Sequence, residues 1–170
     1  MVINQYSEEQ LQHIFAAYGE IPNARRLASL IVSERVKSPV TTTARLRELA
    51  DVCAPKGKEF KYEAQVFQAV RIEVNKEPES LALFLKQATE VLKPGGRLVV
   101  ISYHSLEDKL VKNWMKSGNE AGIIAKDFYG NPIVPFTLIN HKAIVPSEEE
   151  TKENNRARSA KMRIAQKSGT

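Results

Sequence analysis

The sequence predicts an α/β protein of the doubly wound type preceded by an all-helical lobe, and three patterns carry that prediction. Helical periodicity fills residues 1–75 with no strand pattern between the helices. From residue 76 an amphipathic helix, a Gly-Gly turn, an apolar run and a further helix follow in order, the succession of a doubly wound sheet. The run itself, Leu98-Val99-Val100-Ile101, reads as a strand buried on both faces between parallel neighbours.

Ser7 and Gln10 form a capping-box pair, after which Leu11, Ile14, Phe15 and Tyr18 recur at helical spacing until Gly19. Pro22 suits the first turn of a second helix whose Leu27, Leu30 and Ile31 share a face. Ser38-Pro39-Val40 breaks that helix, and Thr41 to Thr43 offer an N-cap to a third, with Leu46, Leu49, Ala50 and Cys53 inward. After the basic loop Pro55 to Lys58, a fourth helix from about Tyr62 to Asn75 aligns Val66, Phe67, Val70 and Val74. Leu81, Phe84, Leu85, Ala88, Val91 and Leu92 make the next helix amphipathic. Lys93-Pro94-Gly95-Gly96 ends it, the glycine pair supplying positive-φ positions. Ser105 caps the helix after the apolar run, with Asp108 as its capping-box partner and Leu110, Val111 and Trp114 facing in. Gly118 to Pro135 reads as a loop. Ala160, Met162 and Ile164 alternate with Lys161, Arg163 and Ala165, which predicts a closing strand with one basic face. So few strands do not make a stable open sheet. The expectation is that another chain completes it, a homodimer being one form, or that the sequence is a fragment of a longer domain.

With 42% hydrophobic and 26% charged residues, the 170-residue chain has the composition of a folded protein, which excludes disorder. No apolar run approaches the roughly 20 residues that span a bilayer. Met1 to Glu9 lacks the basic-then-apolar pattern of a signal peptide. Cys53, the single cysteine, lies on an apolar helical face and reads as a reduced core residue. Together these features point to the cytoplasm and away from membranes. His13, His104 and His141 have no metal-ligand spacing, and no Ser/His/Asp arrangement suggests hydrolysis. The net charge of +5 and a pI near 9.3 suit an anionic partner. Arg25, Arg26, Arg35, Lys37, Arg45 and Arg47 crowd the first third, and Arg156, Arg158, Lys161, Arg163 and Lys167 crowd the end.

Three stretches are more specific. They are Phe67-Gln68-Ala69-Val70-Arg71-Ile72-Glu73-Val74-Asn75, the run from Pro94-Gly95-Gly96 through Ser102-Tyr103-His104-Ser105-Leu106-Glu107-Asp108, and Pro146-Ser147-Glu148-Glu149-Glu150 continuing to Arg156-Ala157-Arg158-Ser159-Ala160-Lys161-Met162-Arg163. In this order and at these separations they resemble the bacterial 16S ribosomal RNA cytosine-N4 methyltransferases, and Tyr18-Gly19-Glu20 and Ala24-Arg25-Arg26 also fit. The resemblance implies the C-terminal part of a Rossmann-like class I methyltransferase that uses S-adenosylmethionine. Residues 1–75 would be the helical lobe inserted for RNA recognition, and residues 76–170 the C-terminal half of the methyltransferase domain. It also implies that the cofactor-binding segment is absent, because Gly95-Gly96 follows a helix and precedes a strand, the reverse of a cofactor loop. The cofactor-binding residues are therefore unassigned, and the chain alone is expected to be an inactive fragment. Gln65 stands where many members carry Arg, and Asn155 where Pro is usual.

The implied reaction is N4-methylation of a cytidine in the decoding region of the small ribosomal subunit. Ser102, Tyr103 and His104 lie at the carboxyl end of the apolar strand, where open α/β sheets bind ligands. His104 could orient the cytosine or the methyl donor, and Tyr103 could stack on a base; the plainer reading makes Ser105 the helix cap and His104 a satisfied turn residue. Arg71 and Asn75, one helical turn apart, could clamp a phosphate or meet an internal carboxylate. Arg25, Arg26, Arg45 and Arg47 are candidate RNA contacts on the helical lobe. Arg156, Arg158, Lys161 and Arg163 read as a phosphate-tracking patch. The rival reading is a non-catalytic RNA-binding or ribosome-assembly module.

Overall fold

The chain divides into two units, Met1–Glu77 and Pro78–Thr170, in a computed structural model that describes residues 2–169. The first unit is helical throughout: α1 (Val2–Gln5), α2 (Glu8–Ala17), α3 (Ala24–Lys37), α4 (Thr43–Cys53) and α5 (Glu59–Asn75). Ser7 Oγ accepts from the Gln10 amide at 3.2 Å while Gln10 Oε1 accepts from the Ser7 amide at 2.9 Å, so the capping box of α2 forms. Thr42, the middle residue of the threonine run, caps α4 by accepting from the Arg45 amide at 3.1 Å.

Pro22 lies before α3 rather than in its first turn. Asn23 is committed instead to tertiary bonds: its amide nitrogen donates to the Cys53 carbonyl at 2.8 Å, and its oxygen accepts from the Tyr62 hydroxyl at 2.7 Å. That anchor also sets the rotation of α5. Tyr62, Val66, Ala69 and Ile72 are its buried stripe, whereas Val74, expected inward, is 62% exposed. The unforeseen α1 is held by Asn4, whose amide group exchanges two hydrogen bonds with the Val40 backbone at 2.8 and 3.0 Å. Leu11, Phe15, Leu27, Ile31 and Val66 form the centre of this unit's core.

The second unit is mixed α/β. Its elements are α6 (Glu77–Val91), β1 (Arg97–Ser102), α7 (Ser105–Ser117), β2 (Ala125–Lys126), β3 (Pro132–Ile133), β4 (Phe136–Leu138), α8 (Glu148–Glu153), a 3₁₀ turn (Asn155–Ser159) and β5 (Lys161–Lys167). Two expectations are corrected here. First, among the described residues the apolar run has no parallel neighbour: the sheet order is β1-β5-β4 and both pairings are antiparallel. Within the described residues β1 is an edge strand with one covered face, so Leu98 and Ser102 are buried while Val99 and Ile101 are 51% and 53% exposed. Second, β2 and β3 form a hairpin inside the stretch read as a loop.

The register explains where the basic face of β5 goes. Leu98 stands opposite Ala165, Val100 opposite Arg163 and Ser102 opposite Lys161. Because alternate residues share a face, Lys161, Arg163 and Ala165 point to the same side as Leu98, the side that α7 covers. The basic face thus turns inward at Arg163, whose side chain is only 12% exposed. Leu85, Leu98, Val111, Trp114, Met115, Phe136 and Ala165 make the core of this unit. The Trp114 indole N–H donates to Thr89 Oγ1 at 3.0 Å and so ties α7 to α6. Of the glycine pair before β1, only Gly95 has positive φ, at 81°; its amide donates to the Lys167 carbonyl at 3.0 Å and closes the start of the sheet. Among the described residues no helix is long and apolar enough to cross a membrane.

Candidate functional site

The candidate site lies where β1 hands over to α7. Ser102 is buried, with its hydroxyl directed across the ladder to the Lys161 carbonyl at 3.4 Å, and Tyr103 is 59% exposed. The N-cap of α7 is His104, not Ser105, because Ser105 already has helical backbone. His104 Nδ1 accepts from the Leu106 amide at 3.3 Å. The reciprocal carboxylate is Glu107, not Asp108: Glu107 Oε2 accepts from the Tyr103 and His104 amides at 3.1 and 3.2 Å. An accepting Nδ1 needs its lone pair, so the bond from Leu106 commits that nitrogen to the cap of α7.

Asp108, freed from capping, faces β5. Arg163 Nε and Nη2 donate to its two carboxylate oxygens at 2.6 and 3.0 Å, and Lys161 Nζ stands 3.7 Å away. Burial pushes the Asp108 pKa up; the hydrogen bond and charge of Arg163, with Lys161 and Lys112, more than offset this and hold it below the usual carboxylate value. Arg163 and Lys161 therefore brace the base of the site. Arg156 and Arg158, on the 3₁₀ turn just before β5, are exposed and have no acidic partner among the described residues.

In the helical unit the arginines divide the same way. Arg45 is held between Glu34 at 2.8 Å and Glu48 at 2.9 Å, and Arg47 meets Glu63 at 3.0 Å. Arg71 grips Glu77 through Nε and Nη2 at 2.9 and 3.2 Å, and Asn75 donates to the same carboxylate at 3.2 Å. Arg25 and Arg26 instead flank an open groove of about 620 Å³, lined also by Asn23, Ser29, Ser33 and Glu8. Sequence reasoning missed Asp108, Glu107 and Glu77 as partners. Only Asp108 carried a sequence signal, since it falls on the stripe of Val111 and Met115.

The fold and site define a two-unit protein, one unit helical and one mixed α/β, whose edge strand ends in a histidine-capped helix. The chain belongs to the MraW methylase family, whose model matches residues 1–168. It is 55% identical over 166 residues to the ribosomal RNA small subunit methyltransferase H of Christiangramia forsetii, an alignment covering 98% of this chain and 55% of that protein. The proteins of the same name from Cytophaga hutchinsonii and Bacteroides fragilis are each 53% identical over 166 residues, again 98% of this chain and 55% of theirs. The chain thus spans about half the length of the curated relatives it matches.

Proposed function

We propose that this chain is the RNA-facing portion of an S-adenosylmethionine-dependent methyltransferase that modifies N4 of a cytidine in the decoding region of 16S ribosomal RNA. Family membership across residues 1–168 carries this reading, with relatives named for methylation of small-subunit ribosomal RNA. On this reading the second unit is the late part of a Rossmann-like sheet. The open edge of β1 leaves room for further strands, and the outer face, with Val99 and Ile101 exposed beside the partly buried Met162 and Ile164, suits a covering layer. The helical unit is the inserted recognition lobe, working in the cytoplasm on the small ribosomal subunit.

The described residues do not fit the methyl donor. No strand among them leads into a glycine-rich turn, and at the start of α7 Glu107 takes the Tyr103 and His104 amides while His104 Nδ1 takes that of Leu106. What the chain supplies is contact with the base and the backbone. The target base must leave its stack to be reached. Tyr103 offers an exposed ring for stacking at the end of β1, next to the His104 cap of α7. Arg25, Arg26, Arg156 and Arg158 are the phosphate contacts on this reading, supported by their exposure outside the ion pairs that hold Arg45, Arg71 and Arg163.

Binding of the chain to small ribosomal subunits, followed across a salt series, tests this. Affinity should fall by about 0.7 log units per tenfold rise in salt for each single-strand phosphate neutralised. Changing Arg156 and Arg158 to Ala should flatten the slope by roughly the same amount per lost contact. Binding insensitive to salt, or to these changes, would refute the phosphate-tracking role. The rival reading is a non-catalytic RNA-binding module. Calorimetry separates the two, because S-adenosylmethionine binding favours the enzyme, and RNA binding without it favours the module.

A further inference from the structure

The hairpin of β2 and β3 ends in two aromatic rings with no place in either core. Phe128 is 97% exposed and Tyr129 85% exposed, with ring centroids 5.5 Å apart at 88°. Edge-to-face contact at the end of a turn leaves open ring faces towards solvent. Rings held this way contribute nothing to folding by burial, yet the turn beneath them is built in detail. The Asp127 amide donates to the Asn131 carbonyl at 2.9 Å, and the Gly130 amide donates to the Asp127 carbonyl at 3.1 Å. Asp127 Oδ1 accepts from the Tyr129 and Asn131 amides, both at 2.8 Å, and Oδ2 accepts from the Asn131 side chain at 2.9 Å. Gly130 takes φ of 87°, which a side chain would strain. At the base, Asn119 clamps Ile123 through both its amide and its carbonyl, at 3.1 and 2.7 Å. The rings are therefore presented on a fixed scaffold.

Charge selects the occupant. The one acidic side chain of the hairpin, Asp127, is consumed by the turn, and Lys126 beside it has no acidic partner among the described residues. The tip thus presents planar π faces with one uncommitted cation, while the exposed Ile123 and Ile133 sit at the base and not at the tip. Aromatic rings beside a cation are what an unpaired nucleobase and its phosphate recognise. We infer that the Phe128–Tyr129 hairpin is a base-stacking contact for single-stranded RNA, a second contact point apart from the end of β1. The inference deepens the RNA-binding reading above and rests on it.

The test uses the 170-residue chain and a fluorescein-labelled oligocytidylate, with anisotropy measured across a salt series. Replacing both residues, Phe128→Ala with Tyr129→Ala, should weaken binding about 5- to 160-fold, the range for losing one stacked base, and leave the salt slope unchanged. The thermal midpoint should not move, since neither ring is in a core. The double change to Trp should keep the affinity. Wild-type binding that survives the double alanine change overturns the hairpin contact and leaves the RNA-binding reading intact. A wild-type chain that binds neither this oligonucleotide nor small subunits removes both. Loss of binding to phosphatidylcholine vesicles, with RNA binding unaltered, would assign the rings to lipid and overturn the inference.

Discussion

At the start of α7 a carboxylate and an arginine meet largely out of water, and their pairing decides how β5 is held. Asp108 and Arg163 have side chains only 13% and 12% exposed, so removing one partner strands the other as an unpaired charge in a poorly hydrated place. Asp108→Ala should therefore cost about 3–5 kcal/mol of unfolding free energy, measured by urea titration at neutral pH. Adding Arg163→Met should recover part of that loss, which simple truncation of a contact would not do. The pH dependence has a fixed sign. The folded-state pKa of Asp108 lies below its unfolded value, so its contribution is complete above the ordinary aspartate range, about 3.9, and fades as pH falls through the folded value. Wild type should thus lose more stability on acidification below pH ~4 than Asp108→Asn does; parallel pH profiles would remove the pair as an anchor. Asp108 was partly legible in the sequence. It stands three and seven residues before Val111 and Met115, on the apolar stripe of its own helix, where a carboxylate demands a partner. Which cation answers it is set by a strand 55 residues later, and no local pattern reports that.

Among the elements, β1 separates burial from mere hydrophobicity. Its apolar run reads the same whether both faces or one are covered, because the hydrophobic letters carry no strand direction and no neighbour count. The antiparallel partner comes from the far end of the chain, which is why the parallel expectation failed. The helices were more legible, since Ser7 and Thr42 announce their caps locally, although the facing of α5 depended on the distant Asn23–Tyr62 bond. One-sided burial makes a sharp prediction for neighbouring positions. Leu98→Ala should cost about 2–5 kcal/mol by opening a cavity beside Met115 and Phe136. Val99→Thr and Ile101→Thr, on the exposed face, should each stay within about 0.5 kcal/mol in this 170-residue chain. Chemical denaturation of the three variants reads this directly, and equal losses at Leu98 and Val99 would mean that both faces of β1 are covered.

For the molecule as a whole, the two units have separate cores, and the helical one meets the size at which a domain can stand alone. Its helices close on one another through bonds that span the unit, Asn4 to Val40 and Asn23 to Tyr62 among them. Residues 1–77 should therefore fold by themselves, with helical circular dichroism and one cooperative melt. Where the piece is cut matters, because Glu77 closes α5 from outside: its carboxylate collects Arg71 and Asn75, while Lys76 takes the left-handed cap conformation at φ 49°. A piece ending at Asn75, the boundary that sequence periodicity suggests, leaves Arg71 without that partner. Since Arg71 is largely exposed, the pair is worth at most about 1 kcal/mol, so the shorter piece should melt a few degrees lower yet keep its fold. A peptide 1–77 that stays unstructured would show that the helical core, though continuous from Leu11 to Ala69, does not suffice to offset the chain entropy of its own segment.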